Sequence, residues 1–109
     1  MSLADRVRAA REQWVSAGGR EWLIRRPTDL RVAQLSGGPM AQLVMESVVG
    51  WKLPENELVP GGGGETPAFD SEAFREWVGD RTDILVQLSK HIEAILDQHQ
   101  QKQKVSEKN

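Results

Sequence analysis

The chain has 109 residues, of which 39% are hydrophobic and 28% charged, a composition typical of one small globular domain. It has no cysteine, which excludes disulfides and thiolate metal sites, and no apolar run approaches the roughly 18 residues that a membrane span needs. These features fit a protein of the cytoplasm.

The net charge of −2 hides an uneven distribution of charge along the chain. Residues 1–31 hold seven arginines and four acids, whereas residues 46–97 hold eleven acids and four bases. Either these are ordinary solvated faces, or the molecule is polar and steers a partner or its own copies. Nucleic acid is a weaker hypothesis, because the basic end has no lysine and no long basic run.

Capping residues and glycines predict three helices and one strand in the first fifty residues. Ser2 caps a first helix whose apolar stripe reaches Trp14, and the glycine pair 18–19 ends it. Residues 20–27 form a short strand or extended segment before Pro27. Thr28 opens a short second helix, and a third helix follows Pro39 and ends at Gly50.

The second half of the chain is predicted to hold a long loop and two more helices. Residues 52–68 lack a helical period and contain four consecutive glycines at 61–64, which indicates a mobile loop, with a short hairpin at Leu58 and Val59. A fourth helix contains Phe74 and Trp77. The last helix has the strongest apolar period, from Ile84 to Leu96.

The predicted fold is therefore mainly α. We expect a small helical domain of about five helices with a short strand or hairpin and a long Gly/Pro-rich loop. It spans residues 1–97, and residues 98–109, rich in Gln and Lys, form a disordered tail.

The sequence contains no recognisable catalytic constellation. The two histidines, His91 and His99, are eight residues apart and would lie about 80° apart around a helix, too far for one metal ion, so surface positions are expected for both. The glycine run is not followed by the lysine and hydroxyl pair of a phosphate-binding loop. We therefore expect no enzyme activity, no metal and no cofactor.

Four tryptophans in a chain without tyrosine are the most informative apolar residues. We expect Trp14, Trp22 and Trp77 to build the core of a domain that has few other large side chains. Trp51 borders the predicted loop, so both a core position and a partner contact remain open. The stripe of the last helix likewise is either core or a surface that pairs with another helix.

The order of several short motifs resembles a known family. An extended apolar segment runs into Arg-Arg-Pro-Thr-Asp at 25–29, and a helix ends in Val-Val-Gly-Trp-Lys at 48–52. A Gly/Pro-rich loop then leads to Pro-Ala-Phe-Asp at 67–70 and a helical C-terminal half. Over roughly residues 20–97 this pattern resembles the small tail assembly chaperones of siphophages and their prophages.

The resemblance implies a non-catalytic protein that binds the tape measure protein in the bacterial host cytoplasm and helps recruit tail tube subunits. The run of glycines at 61–64 departs from the family pattern. The alternative function is a minor tail or connector component that stays in the virion. The residues expected to contact a partner are Trp22, Arg25, Arg26, Trp51, Ile92, Ile95 and Leu96, and a homo-oligomer is also possible.

Overall fold

The computed structural model describes the backbone of residues 1–107 and the side chains of residues 1–104. This part of the chain forms six helices and a three-stranded antiparallel sheet. In chain order the elements are α1 (Leu3–Ala9), β1 (Glu12–Ala17), β2 (Arg20–Arg25), α2 (Asp29–Gln34), α3 (Met40–Ser47), β3 (Val48–Trp51), α4 (Glu55–Leu58), α5 (Ser71–Gly79) and α6 (Thr82–Glu107). The prediction of a mainly α domain is therefore wrong, because the fold is a mixed α/β one.

The first error lies in the glycine pair, which forms a hairpin turn and does not end a helix. Gly18 and Gly19 both have positive φ, +60° and +75°, as a two-residue hairpin turn requires. β1 pairs with β2 from Glu12–Arg25 to Ala17–Arg20 across this turn. The predicted helix thus stops at Ala9, and the expected strand at 20–27 is confirmed as β2.

The second error concerns the segment after the third helix. Val48–Trp51 forms strand β3, which pairs antiparallel with β2, so the sheet order is β1-β2-β3. A Cβ added to Gly50 would lie 2.9 Å from the Cβ of Leu23 on the neighbouring strand. Gly50 was expected to end a helix. Its lack of a side chain instead allows the two strands to approach each other closely.

One hydrophobic core lies between the sheet and the helices α3, α5 and α6. Strands β1 and β2 contribute alternate side chains, as a strand with one buried face must. The helix stripe from Ile84 to Ile95 faces them, with Ile84, Leu88, Ile92 and Ile95 all buried. This stripe is core, which settles one of the two alternatives that the sequence left open.

Several predicted helix starts are confirmed by their hydrogen bonds. Ser2 and Asp5 form a capping box on α1. The side chain of Thr28 accepts from the amide of Arg31 at 3.1 Å, and that of Asp70 accepts from Ala73 at 3.1 Å. Short polar side chains therefore fixed these boundaries locally.

The glycine-rich loop and the end of the chain also differ from expectation. The segment at Leu58 and Val59 is the end of helix α4 and not a hairpin. The amide of Asn56 donates to the carbonyl of Gly63 at 2.9 Å, so the loop folds back on α4. Helix α6 continues through residues 98–107, where an unstructured tail was expected, and residues 108–109 lie outside the described part. No helix among the described residues is both long enough and apolar enough to cross a membrane.

Candidate functional site

Four of the seven residues expected to contact a partner lie inside the domain. Trp22 and Ile92 are fully buried, and Trp51 and Ile95 keep only 5% and 8% of their surface exposed. A partner could reach these side chains only by opening the core. Their apolar character reflects packing within this chain, and Leu96 is partly buried against the same core.

Trp51 and Trp14 differ from expectation in their burial. Trp51, left open as a partner contact, donates its ring N–H to the carbonyl of Pro67 at 2.9 Å and packs edge-on against Phe69. Trp14, expected in the core, is 45% exposed on the open face of the sheet. Lys52 lies 4.7 Å above its ring, so the indole makes a cation–π contact at the surface.

The two arginines of the predicted set lie together at one end of the sheet. There, two adjoining clefts of about 230 and 200 Å³ share Arg11 and Arg26 as lining residues. We call this surface the basic cleft. Five basic side chains line it: Arg11, Arg25, Arg26, Arg31 and Lys102. Two acids, Glu12 and Glu46, line it as well.

Strand pairing and the last helix bring these side chains together. The amide of Arg26 donates to the carbonyl of Arg11 at 2.8 Å, one step beyond the β1–β2 ladder. Arg11 returns the contact, because its Nε donates to the carbonyl of Arg26 at 3.0 Å. The C-terminal half of α6 then places Ile95, His99 and Lys102 along the other wall.

Both acids of the basic cleft are already paired. Arg25 Nη2 lies 2.8 Å from Glu12 Oε2. Arg31 donates two hydrogen bonds to the carboxylate of Glu46, at 2.8 and 2.7 Å. Hydrogen bonding to Arg31 holds the pKa of Glu46 below its ordinary value. Among the described residues, Arg11, Arg26 and Lys102 have no carboxylate within ion-pair distance. The cleft therefore carries an excess of positive charge in a chain of net charge −2.

Both histidines are partly exposed at the surface, and each is held by a contact with another element. His91 Nε2 lies 2.8 Å from the carbonyl of Ser16, where its N–H donates. His99 lies 3.2 Å from Asp29, which also accepts from Gln103 at 3.0 Å. The hydrogen bond from Gln103, with His99 adding to it, lowers the pKa of Asp29. The contacts of His99 and Gln103 with Asp29 tie the end of α6 to α2 beside the cleft.

The cleft suits an anionic ligand. Guanidinium groups present fixed N–H donors that match carboxylate or phosphate oxygens. No group of three or more metal-ligating side chains occurs in the part of the chain that the structure describes. Sequence reasoning found Arg25 and Arg26 but missed Arg11 and Lys102, since only the β1–β2 pairing and the length of α6 bring these two residues to the same place.

Comparisons with family models, with curated proteins and with solved structures give no match to this chain.

Proposed function

We propose that this protein is a non-catalytic assembly factor of a long-tailed bacteriophage that holds the tape measure protein through the basic cleft. Partner binding would take place in the host cytoplasm, before tail tube subunits are recruited. The observation that carries the proposal is a coincidence of position. The segment 25–28, part of the motif that resembles tail assembly chaperones, also forms a wall of the basic cleft.

The charge of the cleft supports an acidic partner. Arg11, Arg26 and Lys102 have no carboxylate within ion-pair distance in the described residues, so a partner carboxylate can pair with them without displacing an existing ion pair. A hydrogen bond between charged groups contributes about 1.5–3 kcal/mol. An acidic segment of a long helical protein, with carboxylates one turn apart, has the spacing to reach several of these groups.

The cleft fits a protein better than a nucleic acid. Proteins that bind single strands stack bases on aromatic rings, and His99 is the only aromatic ring among the lining side chains of the cleft. The eleven acids of residues 46–97 would repel an extended polyanion that continued beyond the cleft. We therefore propose a protein client, with nucleic acid binding as an outcome that the experiment detects.

The test is co-expression of the full chain with the tape measure protein of the same phage, followed by affinity measurement. Arg26→Glu should weaken the complex at least about tenfold, the loss expected from one charge-assisted contact. Lys90→Glu makes the same change of charge on an exposed part of α6 outside the cleft, and it should bind like the wild type. Affinity should fall as salt shortens the Debye length from about 10 Å to about 3 Å.

Three results would overturn the proposal. They are no complex with the tape measure protein, equal weakening by Lys90→Glu, and tighter binding to DNA or RNA than to the protein. Mass spectrometry of purified particles separates a chaperone from the alternative. A chaperone is expected to be missing from the virion, whereas a minor tail or connector component is present at stoichiometric levels.

A further inference from the structure

Helix α1 carries an apolar stripe that is largely exposed to solvent. None of its residues is buried, and Leu3 and Val7 are 75% and 56% exposed. The two side chains are four residues apart and lie on one face of the helix. Isolated helices shorter than roughly 12–15 residues are only marginally stable in water, and α1 has seven residues. The stripe therefore lacks the packing that normally stabilises a helix.

A groove with matching properties lies between α4 and α5. It has a volume of about 340 Å³, and its apolar lining consists of Leu58, Val59, Ala73 and Trp77. We call it the acid-rimmed groove, because Glu76 and Asp80 also line it. Val59 is 51% exposed, so the apolar lining is open to solvent.

The rim of this groove is complementary in charge to α1. Among the described residues neither Glu76 nor Asp80 is in an ion pair, and the one basic side chain in the lining, Arg81, lies over the ring of Trp77 at 4.1 Å. On α1, Arg6 flanks the apolar stripe and has no carboxylate within ion-pair distance in the described residues. The apolar face of α1, edged by arginine, is thus complementary to an apolar groove edged by acids.

The two surfaces lie at opposite ends of the sheet. Helix α1 leads into the start of β1 at Glu12, whereas the groove lies beside Glu57, which pairs with Arg20 just after the hairpin turn. β1 has six residues and so spans about 20 Å, which keeps α1 away from the groove of its own chain. Docking of α1 into the groove therefore requires another molecule.

From these four observations we propose that the α1 helix of one copy docks into the acid-rimmed groove of the next copy. The contact is head-to-tail, because it joins two different surfaces, and repetition produces a ring or an open chain of subunits. It buries one short helix, so the association is weak and depends on concentration. The proposal is independent of the basic cleft and of any client.

The experiment is sedimentation velocity on the full chain over a range of concentrations. The wild type should show a sedimentation coefficient that rises with concentration. Val7→Asp, on α1, and Val59→Asp, in the groove, should both sediment as monomers. Val86→Asp is the matched control, because Val86 is 51% exposed on α6 outside both surfaces, and it should associate like the wild type.

Mixing the two defective variants tests the head-to-tail geometry directly. The Val59→Asp protein supplies an intact α1 and the Val7→Asp protein an intact groove. An equimolar mixture should therefore form dimers and nothing larger. Circular dichroism spectra of each variant test whether it keeps its fold. If Val59→Asp unfolds, Glu76→Arg takes its place, and Arg6→Glu should restore association to that variant.

Three outcomes would overturn the proposal: a wild type that is monomeric at every concentration, a mixture of Val7→Asp and Val59→Asp that stays monomeric, or an equal loss of association in Val86→Asp. A failure here with an intact complex with the tape measure protein would leave the proposed function standing. Self-association without a complex with the tape measure protein would remove the proposed function alone.

Discussion

At the scale of single residues, the indole N–H explains why two tryptophans can be fully inside this small domain. Trp22 donates to the carbonyl of Ala17 and Trp51 to that of Pro67, both at 2.9 Å. A buried polar group without such a partner would cost about 1–3 kcal/mol. Trp14 needs no acceptor of this kind because it remains at the surface. The three residues therefore differ in what their removal should cost.

Trp51→Ala should lower the free energy of unfolding by about 3–5 kcal/mol, the range for removing a large aromatic side chain from a core. Trp14→Ala loses an exposed cation–π contact with Lys52 and should cost about 1 kcal/mol or less. Urea unfolding followed by circular dichroism measures both values. Similar losses for the two variants would contradict the assignment of Trp51 to the core.

The ion pair between Arg31 and Glu46 predicts a dependence of stability on pH. Hydrogen bonds from Arg31 hold the pKa of Glu46 below its ordinary value of 4.5. Because the folded-state pKa is the lower one, the pair stabilises the fold fully above about pH 4.5 and loses this effect as pH falls through the lowered pKa.

Glu46→Gln should therefore be less stable than the wild type at neutral pH, and the difference should vanish in acid. Urea midpoints measured for both proteins between about pH 7 and pH 2 test this expectation. A difference between Glu46→Gln and wild type that persists at low pH would exclude the ion pair as its cause.

At the scale of elements, glycines mark contacts as well as turns. Around Gly18 and Gly19 the chain needs positive φ, so this pair forms the β1–β2 hairpin. Gly62 has a different role. A Cβ placed there would lie 2.7 Å from the carbonyl oxygen of Glu55, a backbone atom that cannot move aside. The loop is thus packed on α4 at this point.

Gly62→Ala should therefore destabilise the protein by about 1–3 kcal/mol, as inserting a methyl group into a close contact does. Gly64→Ala is the matched control, because a Cβ at Gly64 meets nothing within 4 Å. Thermal unfolding of both variants gives the comparison. Equal melting temperatures would support the original expectation of a mobile, dispensable loop.

At the scale of the whole molecule, helix α6 packs against strand β1 and against helices α3 and α5. Its N-terminal half packs near the hairpin turn, where Gln87 accepts from the amide of Gly18 at 3.0 Å. Its C-terminal half reaches the basic cleft and contacts Asp29 through His99 and Gln103. The two ends of the sheet are therefore linked by one rigid element, and damage to its buried face should affect the entire domain.

Ile92→Asp places a carboxylate on the fully buried face of α6, and it should unfold the domain. An unpaired buried charge costs several kcal/mol, a large part of the roughly 5–15 kcal/mol that stabilises a typical domain. Ala94→Asp introduces the same acid two residues away at an exposed position and should keep the fold. A melting curve for Ile92→Asp that matches the Ala94→Asp curve would mean that the stripe is not core.

Local chemistry determined the features that depend on neighbours in the chain. Caps such as Ser2, Thr28 and Asp70 could be identified from sequence because each side chain bonds to an amide three residues away. The apolar stripe of α6 was equally clear, because it repeats with the period of the helix. The arginines at 25 and 26 were also identified, although without their partners.

Only the tertiary structure decided what depends on contacts distant in sequence. Residues 12–17 fit a helical stripe and a strand alike, and pairing with β2 selected the strand. The same pairing exposed Trp14 and brought Arg11 to Arg26. Contacts with Pro67 and Phe69 buried Trp51. Burial and charge at a site depend on which segments meet, and that information is not present in any single segment of the sequence.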